Sequence, residues 1–375
     1  MAEKSTELPL VARKQRIVIA SLLFAALVGP LPSHAEDSGY IGLLRTRDLT
    51  SFGFLRLDMR PAHAVSAPAG TWAIETELGY QNTWALSPEV EHYLSALPER
   101  HELGPADLQA IQDLPGENYL VDLELAELDV TFHYKFAQHW GAYLIMSGVH
   151  YSGGFLDSTI ESFHKTFGFS TFGRKAASRN DVNLIFDLKS AQLATFDSPT
   201  DGGLLDPTLG IRYSGFEPFT GWNMVLEAAV KIPVGGQRDL LSTGRTDVGL
   251  EATLQHFAKH HAVYVSLAGV YYDGTTSITP TDPQVIPTLV LGYERRLSAN
   301  THLILQGYVS PSIYSEEDTD LEELRATKYQ LSLGFYHRMG GGVFSFGITE
   351  NLQNIDNTPD IGFQFGWAYS PALKR

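Results

Sequence analysis

From residue 71 onward, apolar and polar side chains alternate with a period of two. Trp72, Ile74, Thr76, Leu78 and Tyr80 share one face; Glu75, Glu77, Gly79 and Gln81 take the other. The same pattern returns from Trp222 to Val234, from Asp247 to Gln255, from Val285 to Leu297 and from Tyr329 to Arg338. It is cleanest in Ile361, Phe363, Phe365, Trp367 and Tyr369, which alternate with Gly362, Gln364, Gly366, Ala368 and Ser370. Successive side chains of a strand point to opposite faces. A run of about 9–11 residues, greasy on one face only, is what a tilted strand needs to cross a bilayer between lipid and a wet lumen. The pattern predicts twelve strands near 71–83, 118–136, 140–151, 206–214, 222–234, 246–257, 261–272, 285–297, 301–312, 326–339, 343–350 and 360–370. Residues 51–60 read as a further short strand and 182–196 as a small hairpin, either of which would raise the count to fourteen.

The connections alternate in length. Turns at 137–139, 217–221, 258–260, 298–300 and 340–342 are short; 84–117, 152–205, 235–245, 273–284, 313–325 and 351–359 are long and polar. Short periplasmic turns and longer outer loops are the habit of outer-membrane barrels, and Trp and Tyr near strand ends suit the headgroup level. The fold class is therefore an all-β transmembrane antiparallel barrel spanning 71–370, with short helical elements in outer loops and a tail at 371–375. A soluble β-sandwich or lipocalin-like barrel is the alternative, although its strands run about half as long.

The N-terminus reads as an export signal. Arg13, Lys14 and Arg16 precede an uncharged run from Ile17 to Val28, and Ser33-His34-Ala35 supplies a small-residue cleavage site. Residues 1–35 are the expected signal peptide, and 36–70 an irregular segment inside or below the barrel.

Composition narrows the chemistry. The 375 residues include no cysteine, which excludes disulfides, thiolate metal sites and a thiol nucleophile. A net charge of −16 argues against a nucleic-acid partner, which requires clustered Lys and Arg to neutralise phosphates. No cofactor is expected. The expected partners are outer-membrane lipid and lipopolysaccharide, the barrel-assembly machinery during biogenesis, and a small-molecule solute.

One loop differs from the rest. Leu156, Ile160, Phe163 and Phe167 make one stripe of a short helix, 156–167. Ser158 and Glu161 have capping-box spacing, and Gly168 is a natural stop. The stripe must pack either in the lumen as a plug or on the headgroup layer. Asp157, Glu161 and His164 share a side of this helix. They read as a metal site or acid–base pair, or as a structural face paired with Arg174, Lys175 and Arg179. His133, His150 and His302 fall on strands, where a lumen-facing polar role is the simpler reading. The expected lumen charges are Glu75, Glu77, Glu227, Lys231, Glu251, Glu294, Arg296 and Arg338. Buried charges must pair or stay hydrated; a partly plugged lumen of mixed charge is compatible with slow passage of small molecules and equally with none.

The block from Gly153 through Phe155, Leu156, Asp157, Ile160, Glu161, Phe163, His164 and Phe167 to Gly168, followed by Gly173-Arg174, resembles a family of uncharacterised proteobacterial outer-membrane proteins; Arg47-Asp48-Leu49 belongs to the same resemblance. That family implies a barrel and brings no established activity. Gly203 to Pro207, Lys231 to Gly235 and Thr243 to Asp247 look like barrels associated with aromatic-compound degradation. This resemblance implies passive passage of small apolar or aromatic solutes and no enzymatic activity. A non-transporting, partner-binding barrel and a lipid-acting barrel enzyme are the other expectations. The terminal strand is similar to the signal read by the barrel-assembly machinery, here followed by Ser370 to Arg375.

Overall fold

The computed structural model describes residues 39–370, apart from 49–54, 64–66, 169, 191, 196–200, 239, 273–283 and 354–357. The expected signal peptide and the tail 371–375 lie outside the described residues. The strands are β1 (Thr71–Leu86), β2 (Asn118–Lys135), β3 (Trp140–Ser152), β4 (Asn183–Asp187), β5 (Gln192–Thr195), β6 (Gly202–Leu204), β7 (Thr208–Phe219), β8 (Trp222–Lys231), β9 (Asp247–Phe257), β10 (His261–Tyr272), β11 (Gln284–Arg296), β12 (Thr301–Ser310), β13 (Lys328–Met339), β14 (Gly342–Gln353) and β15 (Ile361–Tyr369). The helices are α1 (Pro88–Ala96), α2 (Pro105–Gln112), α3 (Asp157–Phe167) and the single turn α4 (Glu322–Arg325).

Twelve strands close into an antiparallel ring: β1, β2 and β3, then β7 to β15 in order, with β15 pairing back on β1 from Ile74–Tyr369 to Asn82–Ile361. Closure leaves no strand edge for lipid to meet unpaired. The 182–196 hairpin exists as β4–β5, but it does not widen the ring. β4 pairs with Asn118–Asp122 of β2, above the level where β3 pairs with Glu124–Tyr134. Residues 55–60 are not a strand. The ring therefore stays at twelve rather than fourteen.

The outer face carries the apolar half of each alternation. Leu78, Leu128, Phe132, Leu209, Ile211, Leu250, Leu267, Leu291, Leu333 and Phe365 are all exposed. Trp72, Tyr134 and Trp140 lie at the short-turn end of this belt, and Tyr271 and Tyr329 at the long-loop end. Two aromatic girdles flanking an apolar band mark a surface built for a bilayer.

The interior is filled in two layers. At the long-loop end, inward residues of β2 and β3 (Tyr119, Val121, Leu123, Leu125, Val149, Tyr151) pack with Leu184 and Phe186 of β4 and with Ile313, Tyr314 and Leu324 into an apolar cap. Below it, residues 39–48 and 55–63 run inside the ring. The outward faces of β1 and β2 above the belt are covered by a second apolar cluster, in which Trp84, Leu86 and Leu120 meet Val90 and Leu94 of α1 and Ile111 of α2.

Candidate functional site

A ring of about eight strands is filled by its own side chains, whereas a wider one leaves room. Here the room is taken by the N-terminal segment. Its backbone is held by wall side chains: Glu294 accepts the amides of Ile41 and Gly42 (both 3.0 Å), and Tyr336 donates to the Leu43 carbonyl (2.7 Å). Gln364 donates to the Arg45 carbonyl (3.0 Å), Asp247 accepts the Leu57 amide (2.8 Å), and Glu251 accepts the Ala62 amide (2.9 Å). Gly334 and Gly347 form a notch for Leu44; a Cβ at either position would come within 2.8 Å of its Cδ1.

Charge does the rest. Arg45 pairs with Glu75 at 3.4 Å. Arg47 pairs with Glu127 and lies 3.7 Å from Asp129. Arg60 lies 3.3 Å from Glu77 and also pairs with Asp129. Asp48 is held by Arg56 (3.4 Å) and by Lys328 of β13. Three plug arginines thus meet four carboxylates of β1 and β2. The plug is held by these ion pairs and backbone hydrogen bonds together with apolar contacts: Tyr40, Leu43 and Leu44 pack with Phe257, Tyr264 and Tyr336, and Leu57 and Met59 with Ala229, Ala268 and Val270.

The expected lumen charges are placed as follows. Glu75, Glu77, Glu251 and Glu294 contact the plug as above. Lys231 donates to the Leu55 carbonyl (2.8 Å) and pairs with Asp247 at 3.0 Å. Glu227 pairs with Arg212 at 2.7 Å and accepts from Tyr143 at 2.6 Å. Arg296 stacks over Tyr40, 4.8 Å to the ring centre, and Arg338 donates to the Gly39 carbonyl. His133 faces inward on Glu75 at 3.1 Å, and His302 on Glu294 at 2.5 Å. His150 does not face the lumen: it is exposed on the outer face, near the Asp201 carbonyl at 2.6 Å.

Two voids remain beside the plug. A cavity of about 310 Å³ opens at the short-turn end, bounded by Tyr40, Leu43, Pro61 and His63 of the plug and by the inner faces of β1, β2, β3, β7 and β13 to β15. Its surface is mainly apolar, and its charged lining is Arg45, Lys135, Arg212 and Arg338 against Glu75. A second void of about 30 Å³ lies higher, between the plug and β1, β13, β14 and β15, among Arg47, Glu77, Gly79, Gln81, Gly362 and Gln364. It holds one or two waters and nothing larger. Arg45 borders both voids, so the Arg45–Glu75 pair stands between them.

The loop helix lies elsewhere. Glu124 is on the outward register of β2, yet it is fully buried because the loop after β3 folds over it: it accepts the amides of Phe155 (3.0 Å) and Leu156 (2.7 Å). The helix is therefore packed on the outside of the wall and is not a lumen plug. Ser158 does not cap it; the N-cap position is Leu156, without a side-chain cap, while Gly168 ends it in the left-handed conformation. The carboxylates do not converge. Asp157 is held by Arg174 (2.6 Å) and the Asn180 amide (2.8 Å), and Glu161 by Arg100 (2.6 Å) and Arg179 (Nε, 3.2 Å). Burial opposes ionisation of Glu161, but the hydrogen bonds from Arg179 and Arg100 outweigh it and hold its carboxyl below the usual range. Arg174 also bonds Asn82 (3.0 Å) and Asp360 and sits over Trp84. His164 packs edge-on to Phe172. Among the described residues no group of three His, Asp or Glu side chains is placed to hold a metal.

An apolar girdled ring around a polar, plugged lumen defines a transmembrane barrel of the outer-membrane type. The chain belongs to the family of unknown function DUF3187, whose model matches residues 114–370. No curated protein matches it. Among solved structures it is similar to the COG4313 outer membrane channel from Pseudomonas putida F1, at 10% identity and TM-score 0.52, covering 84% of this chain and 100% of that one. It also matches the CymD monoaromatic hydrocarbon channel (12% identity, TM-score 0.34, 82% and 89% covered) and the translocator domain of the NalP autotransporter from Neisseria meningitidis (10%, 0.38, 81% and 89%). At these identities the first likeness speaks for the fold, and the other two are too distant to add to it.

Proposed function

We propose that the protein is a passive, plug-gated channel of the bacterial outer membrane, exported by residues 1–35, for small, largely apolar or aromatic solutes. The observation that carries this reading is the pair of voids beside the plug. A mainly apolar cavity of about 310 Å³ is large enough for a one-ring molecule, and Arg45, paired with Glu75, borders both it and the smaller void above. Its cationic excess favours a solute whose polar group, where it has one, is acidic. The route lies between the plug and the β13–β15–β1 wall, and in the present state it admits nothing beyond water. We read no catalytic role in the loop helix, because both of its carboxylates are committed to arginines. The P. putida protein that shares the fold is itself described as a channel.

The test is solute flux into proteoliposomes and conductance in planar bilayers, for the full chain and for a chain lacking residues 39–63. Rare openings in the first and a steady conductance in the second are expected. Absence of conductance and flux from both rejects a channel.

A further inference from the structure

We propose that α3 is a lipid-docking element, which lays its aromatic side chains into the outer leaflet at the headgroup–acyl boundary and its cations against lipid phosphates. The first observation is position. Phe155 stacks on Tyr80, ring centres 5.2 Å apart, and Tyr80 lies on the outward face of β1, one register step above the exposed belt residue Leu78. The loop thus joins the lipid-facing surface at its upper edge without a break. The second is exposure: Phe155 is 66% exposed, Phe163 49% and Phe167 62%. The ring centres of Phe163 and Phe167 are 4.7 Å apart, so they form one patch.

The third observation is charge. Asp157 and Glu161 are turned inward and buried on arginines, whereas Lys165, Lys175 and Arg179 are exposed. A chain of net charge −16 therefore presents a cationic flank here. Aromatics on one side and cations on the other are the makings of an interfacial helix on an anionic leaflet. The contacts beneath, a hydrogen bond from Arg174 to Asn82 and ion pairs of Arg174 with Asp360 and of Arg100 with Glu161, fix the helix against the wall at that height.

The chain has no cysteine, so single-cysteine labelling is clean. Phe163→Cys and Phe167→Cys carry a nitroxide in the full chain, reconstituted in vesicles of phosphatidylethanolamine, phosphatidylglycerol and lipopolysaccharide. Collision with oxygen is compared with collision with a nickel chelate. Leu128→Cys in the belt is the lipid reference, and Gln112→Cys at the end of α2 the aqueous one. The oxygen-to-nickel ratio at both α3 positions is expected to exceed the Gln112→Cys value by about fivefold or more. Adding Lys165→Glu and Lys175→Glu should lower it at least about twofold. Ratios equal to the aqueous reference overturn the docking, and a ratio unmoved by the charge reversals overturns the phosphate contact. An aqueous Leu128→Cys would fault the barrel's membrane face instead, so the two failures are distinguishable.

Discussion

Replacing Arg60 by methionine asks whether the plug is a gate. In the plugged state Arg60 is buried, 3.3 Å from Glu77 and against Asp129. Methionine keeps an unbranched apolar stem and removes the charge, leaving two wall carboxylates facing an apolar side chain. Breaking a buried pair from one side costs about 3–5 kcal/mol. Arg47 remains 3.7 Å from Asp129, which favours the lower end, about 3 kcal/mol. The cost falls on the plugged state alone, because withdrawal of the segment hydrates both carboxylates. At roughly 1.4 kcal/mol per tenfold, the open-to-plugged ratio rises about a hundredfold. Single-channel recording reads this as opening frequency, and Arg60→Lys, which keeps the charge, should stay within about tenfold of the parent. A second readout uses Thr46→Cys in the cysteine-free chain, whose reaction with a membrane-impermeant thiol reagent should accelerate in parallel. If Arg60→Met changes neither opening nor labelling while the sheet spectrum is intact, ion pairing does not hold the plug and the gate argument is wrong.

Other outcomes follow from the same contacts. Gly347→Val removes the notch for Leu44; overpacking of about 1–3 kcal/mol should raise opening frequency without lowering thermal stability of the strands. Glu294→Ala deletes the acceptor of the Ile41 and Gly42 amides and the partner of His302 and Tyr264, and should speed proteolysis of the N-terminal segment from the short-turn side. Arg174→Ala should free the loop after β3, seen as faster protease cleavage between 153 and 181 with the conductance unchanged. Glu161 has a folded-state value below its ordinary 4.5. The stability it lends to α3 is therefore complete above 4.5 and is lost as pH falls through the lower folded value. Cleavage of this loop should be flat from pH 8 to 5 and rise only below 4.5; a rise centred near pH 6 would contradict the Arg100–Arg179 clamp.

The wall was legible in the sequence because each membrane strand must satisfy one demand along its whole length. Alternation placed all twelve ring strands, and loop lengths gave which of their ends share the short-turn side. The interior was not legible, since it depends on which chain segment enters a lumen that a strand pattern describes only as polar. Residues 51–60 read as an extra strand; 51–54 lie outside the described residues, and in the rest Leu55, Leu57 and Met59 alternate with Arg56, Asp58 and Arg60. That alternation is real, but it answers to the lumen: Leu57 and Met59 pack on Ala229, Ala268 and Val270 of the inner wall, and Arg60 reaches Glu77. Four arginines in 39–63, against four carboxylates on the inward register of β1 and β2, were the available signal. The capping-box reading failed for a related reason. Glu161 has arginines from two other loop segments within reach, and charge-assisted pairs outbid a local amide.

The apolar cap and the plug differ in kind, and that difference decides which one can move. The outer cap is an apolar core, and opening it exposes side chains such as Tyr119, Leu123, Leu184 and Phe186 to water at roughly 1.5–3 kcal/mol each. Nothing compensates that loss in an aqueous mouth. The plug is bound by arginine–carboxylate pairs and by side chains bonding its backbone, and water replaces such contacts at a much smaller net cost, about 0.5–1.5 kcal/mol for an ordinary hydrogen bond. The plug's apolar contacts fall in two smaller clusters, Tyr40, Leu43 and Leu44 against Phe257, Tyr264 and Tyr336, and Leu57 and Met59 against Ala229 and Ala268, whereas Leu55 belongs to the cap's core while Lys231 holds its carbonyl. The plug is thus pinned to the cap at Leu55 and tied to the wall by mixed polar and apolar contacts below. Motion confined to residues 39–47 would break the Arg45–Glu75 pair and join the two voids while leaving the cap intact. On this argument Leu55→Ala should loosen the whole segment, whereas Arg45→Gln should open the lower route alone. Thiol labelling at Thr46→Cys against Met59→Cys separates the two: Arg45→Gln should expose only the first, and Leu55→Ala both. Equal exposure of Met59→Cys in the two backgrounds would show that the segment moves as one body.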